Sequence, residues 1–170
     1  SLSAKYESGG RGPGTINPYK STAKGDSGGA SYGTYQISTS RGTMNNFLEF
    51  LGNHDSDMAA KFDGEKPGTA TFDTAWKTLA KEKPEKFATV QHDFIKTRFY
   101  DKTLAQVSNK YNIDLNLDNR SPVIKDVIWS TSVQHGPGGG AKVINNALKG
   151  QDIQTMTDRE LIKRIYGSVV

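Results

Sequence analysis

Two carboxylates on glycine-dense backbone carry the chemistry this sequence could do. Glu7 opens Glu7-Ser8-Gly9-Gly10-Arg11-Gly12-Pro13-Gly14, and Asp26 opens Asp26-Ser27-Gly28-Gly29-Ala30-Ser31-Tyr32-Gly33-Thr34-Tyr35-Gln36-Ile37. Cleavage of a glycosidic bond needs one carboxyl that holds a proton and another that stays ionised. Glu7 suits the acid: it falls at the end of a short predicted helix, where the partial negative charge of the C-terminus and packing against helix side chains raise its pKa. Asp26, in a polar loop with free backbone N–H groups, suits the base. It would activate a water held by a hydroxyl, with Ser31 the first candidate and Thr34 the second.

The elements that must position these groups are mostly helical. Residues 9–33 hold eight of the eighteen glycines together with Pro13 and Pro18, which reads as a loop or short hairpin. Met44, Phe47, Leu48 and Leu51 predict a helix over 40–51, with Gly52 as its stop. Ala75, Trp76 and Leu79 mark a second over 72–80. Pro84 begins a third, whose apolar face continues through Phe87, Val90, Phe94 and Ile95 to about Tyr111. Ser121-Pro122 is a capping hydroxyl followed by proline at the first helical position. The helix it opens is apolar over a wide arc (Val123, Ile124, Val127, Ile128, Trp129), as a central buried helix would be, and ends at His135-Gly136-Pro137. Further helices are expected over 141–148, closed by Gly150, and from the Thr157/Glu160 capping box to Tyr166. The fold expected is mainly α, an α+β arrangement with a central buried helix and a small irregular or β-like lobe at 9–39.

At 170 residues the chain fits a single domain, 1–170, able to bury roughly two-thirds of its unfolded surface. The absence of cysteine excludes thiol nucleophiles, zinc–thiolate sites and disulfide frameworks. His54, His92 and His135 have no ligand spacing, so no metal and no cofactor is expected. A net charge of +4, scattered among acidic residues, suits an anionic polymer surface better than nucleic acid. No apolar run reaches the ~18 residues of a membrane span, and Ser1–Lys5 lacks the regions of a signal peptide. The expectation is a monomer without membrane insertion, delivered by other machinery, and excised from a longer chain.

The wording of the two segments resembles the catalytic region of the lysozyme superfamily. Gly33-Thr34-Tyr35-Gln36-Ile37 is similar to the cleft-lining Gly-Leu-Met-Gln-type segment of goose-type lysozymes and lytic transglycosylases. Lys5–Thr15 and Gly25–Gln36 resemble most closely the lysozyme-like effector domain at the C-terminus of some type VI secretion spike proteins and related phage endolysins and tail lysozymes. Ile16–Lys24 reads as the variable loop between them, and Ile128–Gly136 is similar to that family's buried helix and its end. The resemblance implies cleavage of the β-1,4 bond between N-acetylmuramic acid and N-acetylglucosamine in peptidoglycan, with Glu7 as general acid, Asp26 as general base and Ser31 positioning the water. The place of action would be the cell wall, in the periplasm or outside the cell. Partners would be glycan strands and, for an effector, an immunity protein that occupies the cleft. Chitosanases share the Glu, the later Asp and a hydroxyl, and lytic transglycosylases manage with one Glu. A noncatalytic wall-binding or tail-structure module is the rival of another class. Carboxyl groups roughly 6.5–9.5 Å apart would make the enzyme inverting.

Substrate contacts are expected from the same segment. Tyr32 and Tyr35 could stack on sugar rings or simply pack, and Gln36 could bond an N-acetyl group. Gln134 and His135 cap backbone carbonyls or shape the cleft floor. His92, Trp76 and Trp129 read as structural residues.

Overall fold

The computed structural model describes residues 11–18 and 29–167, the Arg41 side chain excepted. Glu7, Asp26 and the short helix expected before Glu7 lie outside the described residues. The described residues gather into two compact units, one within 11–94 and the other within 95–167. The expected class holds: the chain is mainly α, with one small antiparallel sheet.

The first unit opens with that sheet, made of β1 (Ile16–Asn17), β2 (Ser31–Tyr32) and β3 (Ile37–Ser38) in sequential order. β1 falls inside the stretch expected to be variable loop. Tyr32 pairs with Ile16 and with Ile37, and Ser31 pairs with Asn17 and with Ser38. Because side chains alternate along a strand, this register puts the apolar residues on one face and the hydroxyls and amide on the other.

Four helices follow. α1 (Thr43–His54) buries Met44, Phe47, Phe50 and Leu51. Gly52 does not stop it: the helix runs two residues further, and the Asp55 side chain then caps α2 (Ser56–Ala60) by accepting from the Met58 N–H at 3.0 Å. An exposed glycine in a helix costs only about 1 kcal/mol, which the buried stripe on either side outweighs. α3 (Ala70–Glu82), capped by Thr69, buries Phe72, Trp76 and Leu79, and α4 (Pro84–Ile95) begins at its proline. Tyr32, Phe47, Phe62, Phe72, Trp76 and Phe87 form one aromatic core, with Trp76 at its centre, 4.6 Å from Phe87 and 5.1 Å from Tyr32 between ring centroids. Edge-on and tilted contacts of this kind suit the ring quadrupoles.

The second unit is wholly helical among its described residues. A π-helical turn, Lys96–Tyr100, precedes α5 (Asp101–Asn109); these and α7 (Asp158–Gly167) pack on α6 (Pro122–Leu148). The Ser121 hydroxyl accepts from the Val123 N–H, as its sequence promised, and Ile124, Val127, Ile128 and Trp129 are buried. Gly136, at φ 78° and ψ 167°, breaks α6 into two helical pieces at the expected place. Only glycine occupies that region readily. Past the break, a Cβ on Gly140 would stand 3.0 Å from Ser132 Cα and 3.2 Å from Thr103 Oγ1, so the close approach there needs glycine too. The expected cap of the last helix is present, with the Glu160 N–H donating to Thr157 Oγ1 at 3.1 Å.

Candidate functional site

Of the residues expected in the site, Ser31, Thr34, Tyr35 and Gln36 come together on β2 and the turn that joins it to β3. Ser31 stands on the polar face of the sheet between Asn17 and Ser38. Its hydroxyl makes no hydrogen bond among the described residues, whereas Ser38 Oγ is engaged by Ser40 Oγ at 2.6 Å. An uncommitted hydroxyl on a half-buried strand has donor and acceptor capacity to spare.

The β2–β3 turn is built to hold one shape. Gly33 has φ 81°, and Gln36 sits in the left-handed region at φ 54°. A non-glycine residue there costs of order 1 kcal/mol or more and persists only where its surroundings hold it. Both ends of the Gln36 amide supply that hold: Nε2 donates to the Gly33 carbonyl at 2.9 Å, and Oε1 accepts from Asn17 Nδ2. Gln36 is therefore joined to Asn17, the cross-strand partner of Ser31, with its orientation fixed by neighbours. Asn17, placed directly opposite Ser31 and exposed, belongs to the same polar patch. Sequence reading missed it because it fell in the stretch assigned to variable loop. Two apolar–polar steps around the glycines, Ile16-Asn17 and Ser31-Tyr32, were the available signal.

The two tyrosines differ in what they can offer. Tyr32 is fully buried in the aromatic core, so the stacking role on sugar gives way to packing. Its hydroxyl donates to Asp73 Oδ1 and accepts from the Gly68 N–H at 3.1 Å. Burial first, then the Asp73 carboxylate, pushes its pKa upward, so it stays protonated. Tyr35 is also largely buried; its ring centroid lies 6.2 Å from that of His92, and its pKa is pushed up to about 12 by burial and by the charge of Asp93. Thr34 is half-buried and donates its backbone N–H to Gln91 Oε1 at 3.1 Å.

Gln134 and His135 belong to the other unit, in the last turn before the Gly136 break. Gln134 is exposed; His135 is half-buried, and its Nε2 is a buried nitrogen without a hydrogen-bond partner among the described residues. Trp76 and Trp129 are core residues, as expected.

Comparison with known proteins identifies where such a domain occurs. Residues 1–168 match the family described as "Type VI secretion system spike protein VgrG3-like, C-terminal". The chain is 40% identical over 160 residues to the type VI secretion system spike protein VgrG3 of Vibrio cholerae serotype O1. That alignment takes in 94% of this chain but only 14% of the relative. The chain therefore belongs to the VgrG3-like C-terminal family of type VI secretion system spike proteins.

Proposed function

We propose that the domain is a peptidoglycan hydrolase of the muramidase type, carried to a target cell's wall by a type VI secretion spike. Glu7 protonates the departing glycosidic oxygen, and Asp26 takes a proton from the water that attacks the anomeric carbon, giving inversion. Ser31 holds that water. The observation that supports the reading is the Ser31 hydroxyl, without a hydrogen bond among the described residues, on the polar face of the sheet opposite Asn17, whose amide is bonded to Gln36 of the Gly33–Ile37 segment that resembles a lysozyme cleft wall. Amide groups beside a hydroxyl suit N-acetylated sugars, whose acetamido groups both donate and accept. Glycan strands are the proposed substrate. An immunity protein seated over the same polar face is the proposed partner in the producing cell.

The test is release of reducing ends from purified peptidoglycan by the wild type and by Glu7→Gln. Loss of the general acid should lower the rate about 10²- to 10⁴-fold. Equal release by both proteins would remove Glu7 from its role, and no release by either would leave a noncatalytic wall-binding module. Chitosan as a parallel substrate, with mass analysis for anhydro-sugar ends, separates the chitosanase and transglycosylase outcomes.

A further inference from the structure

Gln91 is a fully buried amide on the core face of α4, among Phe87, Val90, Phe94 and Ile95, and the chemistry above leaves it unused. Its Nε2 donates to the Pro13 carbonyl at 3.2 Å, and its Oε1 accepts from the Thr34 N–H at 3.1 Å. The Pro13 carbonyl also takes the Trp76 Nε1–H at 2.8 Å. One planar amide thus joins two segments distant in sequence. The first is the turn closed by the Thr15 N–H on the Gly12 carbonyl, which continues the Glu7 stretch; the second is the Gly33–Gln36 turn. A further bond, from the Gly33 N–H to the Thr15 carbonyl at 2.7 Å, ties the same pair. The fit at Gly33 leaves no room: a Cβ there would lie 2.2 Å from Gln91 Oε1.

A buried amide costs free energy unless both its ends are bonded, and an apolar side chain of similar size would fill the space without that cost. What the amide adds is direction, since its donor and acceptor fix the spacing of two loops. We propose that Gln91 is a positioning residue for glycoside cleavage, a clip that sets the Thr34–Gln36 turn, and through β2 the Ser31 hydroxyl, against the segment leading from Glu7. This rests on the hydrolase reading.

Gln91→Glu and Gln91→Met separate positioning from stability. A protonated glutamic acid still donates to the Pro13 carbonyl and accepts from the Thr34 N–H; its ionised form has no donor and is disfavoured by burial, so the carboxyl titrates above the ordinary range. Turnover on peptidoglycan is measured per folded molecule, well below the melting temperature, and expressed as a ratio to wild type at each pH, which cancels the titration of Glu7 and Asp26. For Gln91→Glu that ratio should stand near one at acid pH and fall about tenfold as the new carboxyl ionises, a loss in keeping with small misplacement of reacting groups. Gln91→Met should be low at every pH. A ratio that stays flat for Gln91→Glu, or wild-type turnover by folded Gln91→Met, overturns the clip while leaving the hydrolase intact, even if melting temperatures drop. A wild type without activity on any glycan removes the hydrolase reading and this role together.

Discussion

Ser31 is the residue on which the proposed chemistry meets described geometry, because its hydroxyl, without a hydrogen bond among the described residues, stands on the polar face opposite Asn17. Ser31→Ala deletes that hydroxyl without disturbing the strand pairing, which uses only backbone groups. Turnover on peptidoglycan should fall about tenfold to a hundredfold, the scale of a misplaced reactant, with the melting temperature unchanged within about 2 °C. Ser31→Thr should recover most of the loss, since it restores the hydroxyl on a β-branched side chain suited to a strand. Wild-type rates in Ser31→Ala would move the water-holding role elsewhere, with Thr34 next in line. The contrast with Tyr32 shows what sequence could and could not say at this scale. Both residues read as cleft candidates from the same segment, yet the two-residue repeat of a strand sends neighbours to opposite faces. Only the pairing of Tyr32 with Ile16 and Ile37 decides which face is the core.

At the scale of elements, local signals were legible wherever a cap or a proline marked a boundary. Pro84, Ser121-Pro122 and Thr157 each begin the helix they announced, and Gly136 breaks α6 where the glycine–proline pair said it would. Tertiary packing decided the rest. Gly52 was overridden by the buried Phe50 and Leu51, and five-residue α2 carries too little pattern to be seen. Gln91 takes its meaning from Pro13 and Thr34, both far away in sequence. A similar long-range clamp in the second unit yields a pH prediction. Arg120, its side chain 5% exposed, donates to the carbonyls of Leu115, Ile153 and Met156 and to Asp158 Oδ1, while Asp158 Oδ2 accepts from the Ser121 N–H at 2.9 Å. The Ser121 bond first, and Arg120 with it, holds the Asp158 pKa below the ordinary carboxylate value. A depressed carboxyl pKa stabilises the fold above the unfolded value of about 4 and loses that contribution as pH falls through the folded value. In urea titrations Asp158→Asn should therefore be less stable than wild type at neutral pH, and the gap should close below about pH 4. A gap independent of pH would show that the carboxylate charge contributes nothing.

For the whole molecule, the open question is whether two compact units make one folding unit. Each has its own buried tryptophan: Trp76 at the centre of the aromatic core in one, and Trp129, 5.5 Å from Tyr100 between ring centroids, in the other. The division falls between Phe94 and Ile95, inside the span of α4 and not in a linker. Domain boundaries that permit independent folding fall in exposed, polar or glycine-rich segments, and helix formation is cooperative along the chain, so unfolding on one side of residue 94 frays support for the other. A chain of 170 residues also lies within the size range served by one hydrophobic core. Both considerations favour one transition. In Trp76→Phe the remaining fluorescence reports on the second unit, and in Trp129→Phe on the first. Within each variant, the denaturant curve read by tryptophan emission should coincide with the curve read by far-ultraviolet circular dichroism, which averages over helices of both units. Comparing two probes in one protein removes the destabilisation that each substitution brings. Displaced midpoints in either variant would mean that the units unfold separately.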